Sequence, residues 1–472
     1  MNTEETMLIQ NDKLHEECGV FGFYDNDGFD VAHMTYFGLY ALQHRGQESA
    51  GIAVVGENGE FNCYKNMGLV SDVFTESILK ELKGNIAIGH VRDSTKGGSN
   101  RENSQPLATR YVKGTLALAY NGNLINSAKL REKFEKNGAI FHTTVDSEVI
   151  MYELAQERIK THSIENAMLA AMNDLEGAYS VVLMSPRKLI GARDPHGFRP
   201  LCIGKMKNSY ILSSETCALE NLGEEFVRDV EPGEVVVIDK DGLRSLKSPR
   251  AQKRASICIF EHVYFARPDS EIQGASVYEM RKLMGRRLAK DFPVEADLVF
   301  GVPDSGLCAA LGYAEESGIA YGDGFIKNRY IGRTFIQPTQ EQREQAVNIK
   351  LNVVKKAVRG KRVVMVDDSI VRGTTCANII KALKAAGALE VHLRISSPPF
   401  LWPCFFGTDV PSRDVLMAVK YSIEEMREKV GADSLGFLSV EAIEDIAKNM
   451  DCDYCDGCFT GKYPMDVPKI SE

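Results

Sequence analysis

The stretch Val363-Val364-Met365-Val366-Asp367-Asp368-Ser369-Ile370-Val371-Arg372-Gly373-Thr374-Thr375 constrains the fold more than any other in the chain. Four consecutive apolar residues fit a parallel strand covered on both faces. Apolar residues then recur with helical spacing over residues 377–383, so a helix follows. The residues between lie at the carboxyl end of a strand and the amino end of a helix, where backbone N–H groups and the helix dipole favour an anion. Gly373 lets the backbone come close to a ligand, and Ser369, Thr374 and Thr375 add hydroxyl donors. The adjacent carboxylates Asp367 and Asp368 would repel a bare phosphate. They make sense if they hold ribose hydroxyls, or a Mg2+ that the phosphates share. The pattern predicts a doubly wound α/β sheet with a site for a sugar phosphate.

This strand–loop–helix resembles the 5-phosphoribosyl-1-pyrophosphate (PRPP) signature of type I phosphoribosyltransferases. The resemblance implies that Asp367 and Asp368 face the ribose and metal. It implies that the loop from Ser369 through Arg372 and Gly373 to Thr374 and Thr375 binds the 5-phosphate. Leu298-Val299-Phe300-Gly301-Val302-Pro303-Asp304-Ser305-Gly306 reads as another strand running into a ligand-edge turn, and by resemblance Ser305 joins the Mg2+ and ribose set. Lys327-Asn328-Arg329-Tyr330-Ile331-Gly332-Arg333-Thr334-Phe335, through Gln342-Arg343, is polar, basic and glycine-containing. It reads as a lid whose cations, Lys327 among them, meet pyrophosphate and keep water from the reacting ribose carbon.

At 472 residues the chain has room for two or three domains, and a different chemistry heads it. Residues 1–17 are polar and acidic without an apolar core, which is not a secretory signal. Cys18-Gly19-Val20-Phe21-Gly22-Phe23-Tyr24 then reads as a strand. Cleavage before Cys18 would give it a thiol and a free α-amine together. An α-amine titrates near ~7.7–8.0 and can serve as the base for its own nucleophile. Leu42-Gln43-His44-Arg45-Gly46-Gln47-Glu48-Ser49-Ala50-Gly51-Ile52, Ile88-Gly89-His90-Val91-Arg92, Ala119-Tyr120-Asn121-Gly122-Asn123-Leu124 and Thr143-Thr144-Val145-Asp146-Ser147-Glu148 follow in order. With Cys18 they resemble the ordered landmarks of class II glutamine amidotransferases over roughly residues 18–230. That resemblance implies Cys18 as nucleophile, and Asn121 with the N–H of Gly122 as donors to the tetrahedral oxyanion. It implies Arg92, Thr95 and Asp146 around the α-carboxylate and α-ammonium of glutamine. One departure stands out: the family usually carries an aromatic residue after this arginine, and here it is Asp93.

Eleven cysteines in a long chain without a secretory signal point to metal or catalytic thiols rather than a disulfide framework. Cys452-Asp453-Tyr454-Cys455-Asp456-Gly457-Cys458 carries overlapping C-x2-C units, a metal signal for which zinc is the default occupant. Spacing alone does not choose between Cys452/Cys455 and Cys455/Cys458. Cys63, Cys202, Cys217, Cys308 and Cys376 read as inert core thiols.

From residue 18 onward the chain resembles the amidophosphoribosyltransferase family, in its iron–sulfur, propeptide-bearing form. The resemblance implies a [4Fe–4S] cluster on Cys258, Cys404, Cys455 and Cys458, and autocatalytic removal of residues 1–17. It implies an α+β N-terminal-nucleophile sandwich (αββα) over residues 18–250, then the α/β phosphoribosyltransferase domain with its iron–sulfur tail over 251–472. The implied substrates are glutamine and PRPP, with Mg2+ as cofactor and purine nucleotides as inhibitors. The product is 5-phosphoribosylamine, in the first step of de novo purine synthesis. A cytoplasmic homo-oligomer, dimer or tetramer, is expected. Two other readings are a glutaminase serving another acceptor and a non-catalytic PRPP or nucleotide sensor. The formal net charge of −9 argues against a nucleic-acid partner, and no apolar run approaches the ~20 residues of a membrane span.

Overall fold

A computed structural model describes residues 18–56, 58–94, 98–328, 351–408, 410, 412–448 and 450–469. Residues 1–17, Thr95, and the lid from Arg329 onward through Gln342-Arg343 lie outside the described residues.

The strand Gly19–Tyr24 is buried along its whole length. It pairs antiparallel with Ile86–Arg92 on one side and with Ser209–Ser213 on the other, near the middle of a seven-stranded sheet. A six-stranded antiparallel sheet, from Leu107–Tyr111 at one edge to Gly242–Lys247 at the other, lies against it. Val20, Ile86, Ile88 and Ile203 of the first sheet pack with Ala117, Ala119, Val182 and Val236 of the second. Alternate residues of the first sheet, such as Phe21, Phe23, Ile52 and Val54, pack under the helices Val31–Ala41 and Cys217–Leu222. Leu118, Tyr120, Val181 and Val235 of the second pack under Ser127–Lys136, Asp146–Lys160 and Ile164–Ala171. Period-two alternation with both faces covered gives the four-layer αββα sandwich expected from the sequence.

Past the hairpin that ends at Lys247, the architecture changes. Leu298–Gly301, Arg362–Asp367, Glu390–Ile395 and Ser434–Phe437 form a parallel sheet in that order. Val299, Val364 and Val366 pack on one side with Met284, Leu288, Ala309 and Tyr313 from the helices Val277–Asp291 and Leu307–Ser317. Phe300, Val363, Met365 and Leu393 pack on the other with Ile379, Ile380 and Leu383 from Thr374–Ala385. A sheet buried on both faces explains why its strands read as unbroken apolar runs.

The tail returns to the start of this half. Cys452–Cys455 pairs parallel with Ala255–Cys258, and the segment around it packs on the sandwich. Phe406 stacks on Phe198 with ring centroids 4.4 Å apart, and Asn123 Nδ2 donates to Phe405 O at 2.7 Å.

The cysteines correct one expectation. Cys202, Cys217, Cys308 and Cys376 are buried, but Cys63 is exposed. It lies on Phe61–Met67, the edge strand of the seven-stranded sheet, opposite Ala53. Phe61 and Tyr64 nearby made its context read as core.

The helices Val277–Asp291 and Leu307–Ser317 cross closely because glycines stand at the contact. A Cβ at Gly312 would lie 2.0 Å from Lys282 O, and one at Gly285 would lie 1.8 Å from Ala309 O. Backbone cannot yield as a flexible side chain can. Gly312→Ala is therefore expected to lower the unfolding free energy by about 1–3 kcal/mol, as measured by urea denaturation. An unchanged midpoint would mean that the helices can separate freely.

Candidate active sites

The alternation that builds the sandwich also gathers the first group of residues. Val20 faces the second sheet, so Cys18, two residues before it, shares that inner face. Ile86 and Ile88 place His90 and Arg92 there, and Ala117 and Ala119 place Asn121 there. Gly19 pairs with Val91, which sets Cys18 opposite Arg92. His90 Nε2 lies 2.9 Å from Tyr120 O and joins the two sheets at this end. Burial pushes its imidazole down to about 3, so it stays neutral in that bond. Cys18 Sγ donates to Asp93 O at 3.4 Å, and Arg45 Nε donates to Cys18 O at 3.2 Å.

Asn121 is fully buried, and among the described residues neither its amide nitrogen nor its oxygen has a hydrogen-bond partner. Such orphans are rare in folded proteins. One on the same inner face as a thiol is explained if a ligand or an oxyanion completes it. Asn121-Gly122 reads as a turn by composition, yet it lies inside the strand Gly114–Leu124, paired with Tyr179 and Ser180. Gly122 has φ +141°, and a Cβ there would meet Ala178 O at 2.1 Å, so glycine is required.

Arg92 Nη1 lies 3.6 Å from Glu48 Oε2 and 3.4 Å from Gly98 O. Asp146 opens its helix, and its Oδ2 accepts from Leu124 N at 2.9 Å. Asn103 Nδ2 donates to Gly98 O at 2.8 Å and to Thr144 Oγ1 at 2.9 Å, and thus ties the loop after Arg92 to the segment before Asp146. Glu48 and Asn103 were not singled out from the sequence. Glu48 meets Arg92 only because Ser49 pairs with Arg92 across two strands far apart in sequence.

The second group lies at the carboxyl ends of the parallel strands. Asp367 ends Arg362–Asp367, and its Oδ1 accepts from Asp368 N at 3.0 Å. Asp368 accepts from Ser305 Oγ and from Ser369 Oγ, each at 2.6 Å. Ser305, Asp367 and Asp368 are all buried. Arg372 precedes Gly373, which sits at φ +86° as the N-cap of Thr374–Ala385 with no side-chain cap, and Thr374 and Thr375 form the first turn. A Cβ on Gly373 would also press on Met417 Sδ at 2.4 Å. Lys327 ends Phe325–Lys327, and its ammonium pairs with Asp304 in the turn that carries Ser305. The structure thus brings Ser305, Lys327, Asp368 and Ser369 to one end of the sheet. Oxygen donors of this kind suit Mg2+.

The third group is made of thiols. Cys258 lies directly across from Cys455 in the parallel ladder. Cys455 packs with Cys404, Phe198 and Phe406, and Cys458 packs in the cluster that holds Cys258 and Cys404. Burial raises the Cys455 and Cys458 thiols well above their ordinary range, and neighbouring thiols raise them further. Cys452, three residues before Cys455 on the strand, falls on the other face with Ala255, Ile257 and Val277. All eleven cysteines are free. Among the described residues, no group of three or more His, Cys, Asp or Glu is arranged to hold a single metal ion.

Comparisons with known proteins match each half separately and then the whole. A glutamine amidotransferase domain model matches residues 90–221, and a phosphoribosyl transferase domain model matches residues 270–396. The amidophosphoribosyltransferase of a Synechocystis strain is 50% identical over 97% of this chain and 92% of its own. That of Archaeoglobus fulgidus is 48% identical over 96% and 98%. A solved glutamine PRPP amidotransferase from Bacillus subtilis, complexed with ADP and GMP, superimposes with TM-score 0.89 at 46% identity, over 96% of this chain and 98% of that one. The chain belongs to the amidophosphoribosyltransferases. In this amidophosphoribosyltransferase the first matched domain contains Arg92, Asn121 and Asp146, and the second contains Ser305, Lys327 and the stretch from Asp367 to Thr375.

Asp93 is buried, and it follows Arg92 at the end of the strand. The alternation that carries Arg92 onto the inner face carries the next residue off it. The carboxylate of Glu48 lies 3.6 Å from Arg92 Nη1. Asp93→Tyr is therefore expected to change the glutamine KM less than about threefold, a free-energy change under about 1 kcal/mol. Steady-state kinetics at saturating PRPP would check this; a large drop in KM would show that Asp93 obstructs the pocket.

Proposed function

We propose that the chain carries out its family's reaction at two sites in sequence. Glutamine, PRPP and water become 5-phosphoribosylamine, glutamate and pyrophosphate, in the first step of purine biosynthesis. Cys18 Sγ attacks the side-chain amide of glutamine. The developing oxyanion is taken up by the Asn121 amide and the Gly122 N–H, ammonia leaves, and water hydrolyses the thioester to glutamate. Arg92, Thr95 and Asp146 hold the α-carboxylate and α-ammonium. At the second site Asp367, Asp368 and Ser305 hold ribose hydroxyls and Mg2+. Ser369, Arg372, Gly373, Thr374 and Thr375 hold the 5-phosphate, and Lys327 meets pyrophosphate. Mg2+, when bound, neutralises pyrophosphate charge as the C1–oxygen bond breaks and ammonia takes its place. The observation that carries this reading is the orphaned Asn121 amide on the same inner face as Cys18, in a chain whose other half gathers Ser305 and Asp368.

Cys18 acts with a free α-amine once residues 1–17 are removed, with the junction between the halves near residue 250. A cytoplasmic homo-oligomer and inhibition by purine nucleotides complete the reading; the related Bacillus subtilis structure, complexed with ADP and GMP, supports the last point. No helix among the described residues is long and apolar enough to cross a membrane. A [4Fe–4S] cluster fits the donor set, since four thiolates are needed and Cys258, Cys404, Cys455 and Cys458 converge. When bound, it would fasten the tail to the start of the second half.

Two measurements test these assignments. Cys18→Ala is expected to abolish glutamine-dependent synthesis and leave ammonia-dependent synthesis, while Asp367→Asn with Asp368→Asn removes both and spares glutamine hydrolysis. Normal glutamine use by the first variant, or normal PRPP use by the second, would sink the respective role. For the tail, Cys455→Ser and Cys458→Ser are expected to lose iron, acid-labile sulfide and solubility, and Cys452→Ser to keep all three. Iron loss confined to Cys452→Ser would overturn the ligand assignment.

A further inference from the structure

The guanidinium of Arg45 is fully buried between the two halves of the chain. Its Nη1 donates to Glu215 Oε1 at 2.6 Å and to Glu261 Oε2 at 2.9 Å. Its Nη2 donates to Glu261 Oε1 at 2.9 Å, and its Nε donates to the carbonyl of Cys18 at 3.2 Å. Both carboxylates are buried as well. Glu215, in the first half, also receives His44 Nε2 at 2.7 Å. From the second half it receives Arg267 N at 2.9 Å and Ser270 Oγ at 2.7 Å. Glu261, in the second half, is also approached by Arg199 Nη1 of the first at 3.4 Å. Removing water from this many charges is costly, and the arrangement survives only because nearly every donor and acceptor is matched. A hydrophobic patch would join two domains at less cost.

The geometry fixes one end of this network to the nucleophile and the other to the phosphoribosyl half. Glu261 opens a single π-helical turn, Glu261–Phe265, a local distortion often found at functional sites. Buried Arg281, from Val277–Asp291, clamps that turn by donating to His262 O at 2.7 Å and to Ala266 O at 2.8 Å. A hydrogen-bonded path therefore runs from the π-turn through the Glu261–Arg45 pair to the Cys18 carbonyl.

We propose that Arg45 and Glu261 are positioning residues for glutamine hydrolysis. Through the Cys18 carbonyl, the bidentate pair sets where the thiol and its α-amine stand, and it makes that placement depend on the seating of the phosphoribosyl half. Neither residue touches the reacting atoms. The proposal rests on Cys18 being the glutaminase nucleophile.

Glu261→Gln keeps the side chain's size and one acceptor but breaks the charged fork, and Glu261→Asp keeps the charge. In the full chain, Glu261→Gln is expected to lower glutamine-dependent kcat at least tenfold with glutamine KM changed less than threefold. Ammonia-dependent synthesis from PRPP should stay within twofold, which shows that the second half is folded and working. Alkylation of Cys18 by the diazo ketone 6-diazo-5-oxo-L-norleucine, followed by intact mass, should slow by a similar factor. Glu261→Asp should recover part of both losses. Equal losses with glutamine and ammonia would mean that the pair only holds the halves together, and unchanged alkylation would mean that it does not place the thiol; either result overturns the proposal. If the unsubstituted chain itself makes no product from PRPP with either nitrogen source, the broader reading fails instead.

Discussion

The antiparallel pairing of Gly19–Tyr24 with Ile86–Arg92 is the constraint on which the first site depends. Register in a strand pair is all-or-none: a slip of one residue moves every side chain to the other face. Here that slip would carry Val20 out of the inter-sheet core and Cys18 off the inner face together. The apolar residues that fix the register, Val20, Ile86 and Ile88 inward and Phe21 and Val91 outward, thus also place Cys18 and Arg92 opposite each other on the inner face. Burial of carbon is what aims the polar groups, and no separate device is needed.

The second half solves the same problem with different geometry. A parallel sheet buried on both faces leaves its strand ends as the only place where polar groups can reach a ligand. Ser305 and Asp368 come from the ends of neighbouring strands and meet at 2.6 Å. The turn between Asp368 and Thr374 has to reverse into a helix within a few residues, and Gly373 at φ +86° makes that reversal without strain. The amino end of the helix Thr374–Ala385 follows directly, a place where an anion is favoured.

What could be read from the sequence followed from how local its cause is. The apolar run 363–366 with its glycine-hydroxyl loop announced a strand, a turn and a helix, because each signal lies within a dozen residues. The strand after Cys18 announced itself in the same way. Asn121-Gly122 misleads for the opposite reason: its turn propensity is local, but pairing with Tyr179 and Ser180 overrides it. Cys63 misleads because position in a sheet, centre or edge, is not written in the strand's own residues. The Glu48–Arg92 and Arg45–Glu261 contacts join positions 44 and 216 residues apart in sequence, and no spacing rule reaches that far. The tail is an intermediate case: two C-x2-C readings are equal in sequence, but the pairing of Cys455 with Cys258 separates Cys452 from the other thiols.

Both walls of the first site are anchored in the other half. On one side Arg45 holds the Cys18 carbonyl and is itself held by Glu261. On the other, Asn123, two residues beyond Asn121 on the same strand, donates to Phe405 O beside the thiol-bearing Cys404. Phe198 and Phe406 stack across the junction. The segments that carry Cys18 and Asn121 are thus both fastened to the second half. Ion pairs of fixed geometry at the centre of this junction hold the two halves in register, which an apolar patch, being non-directional, cannot do.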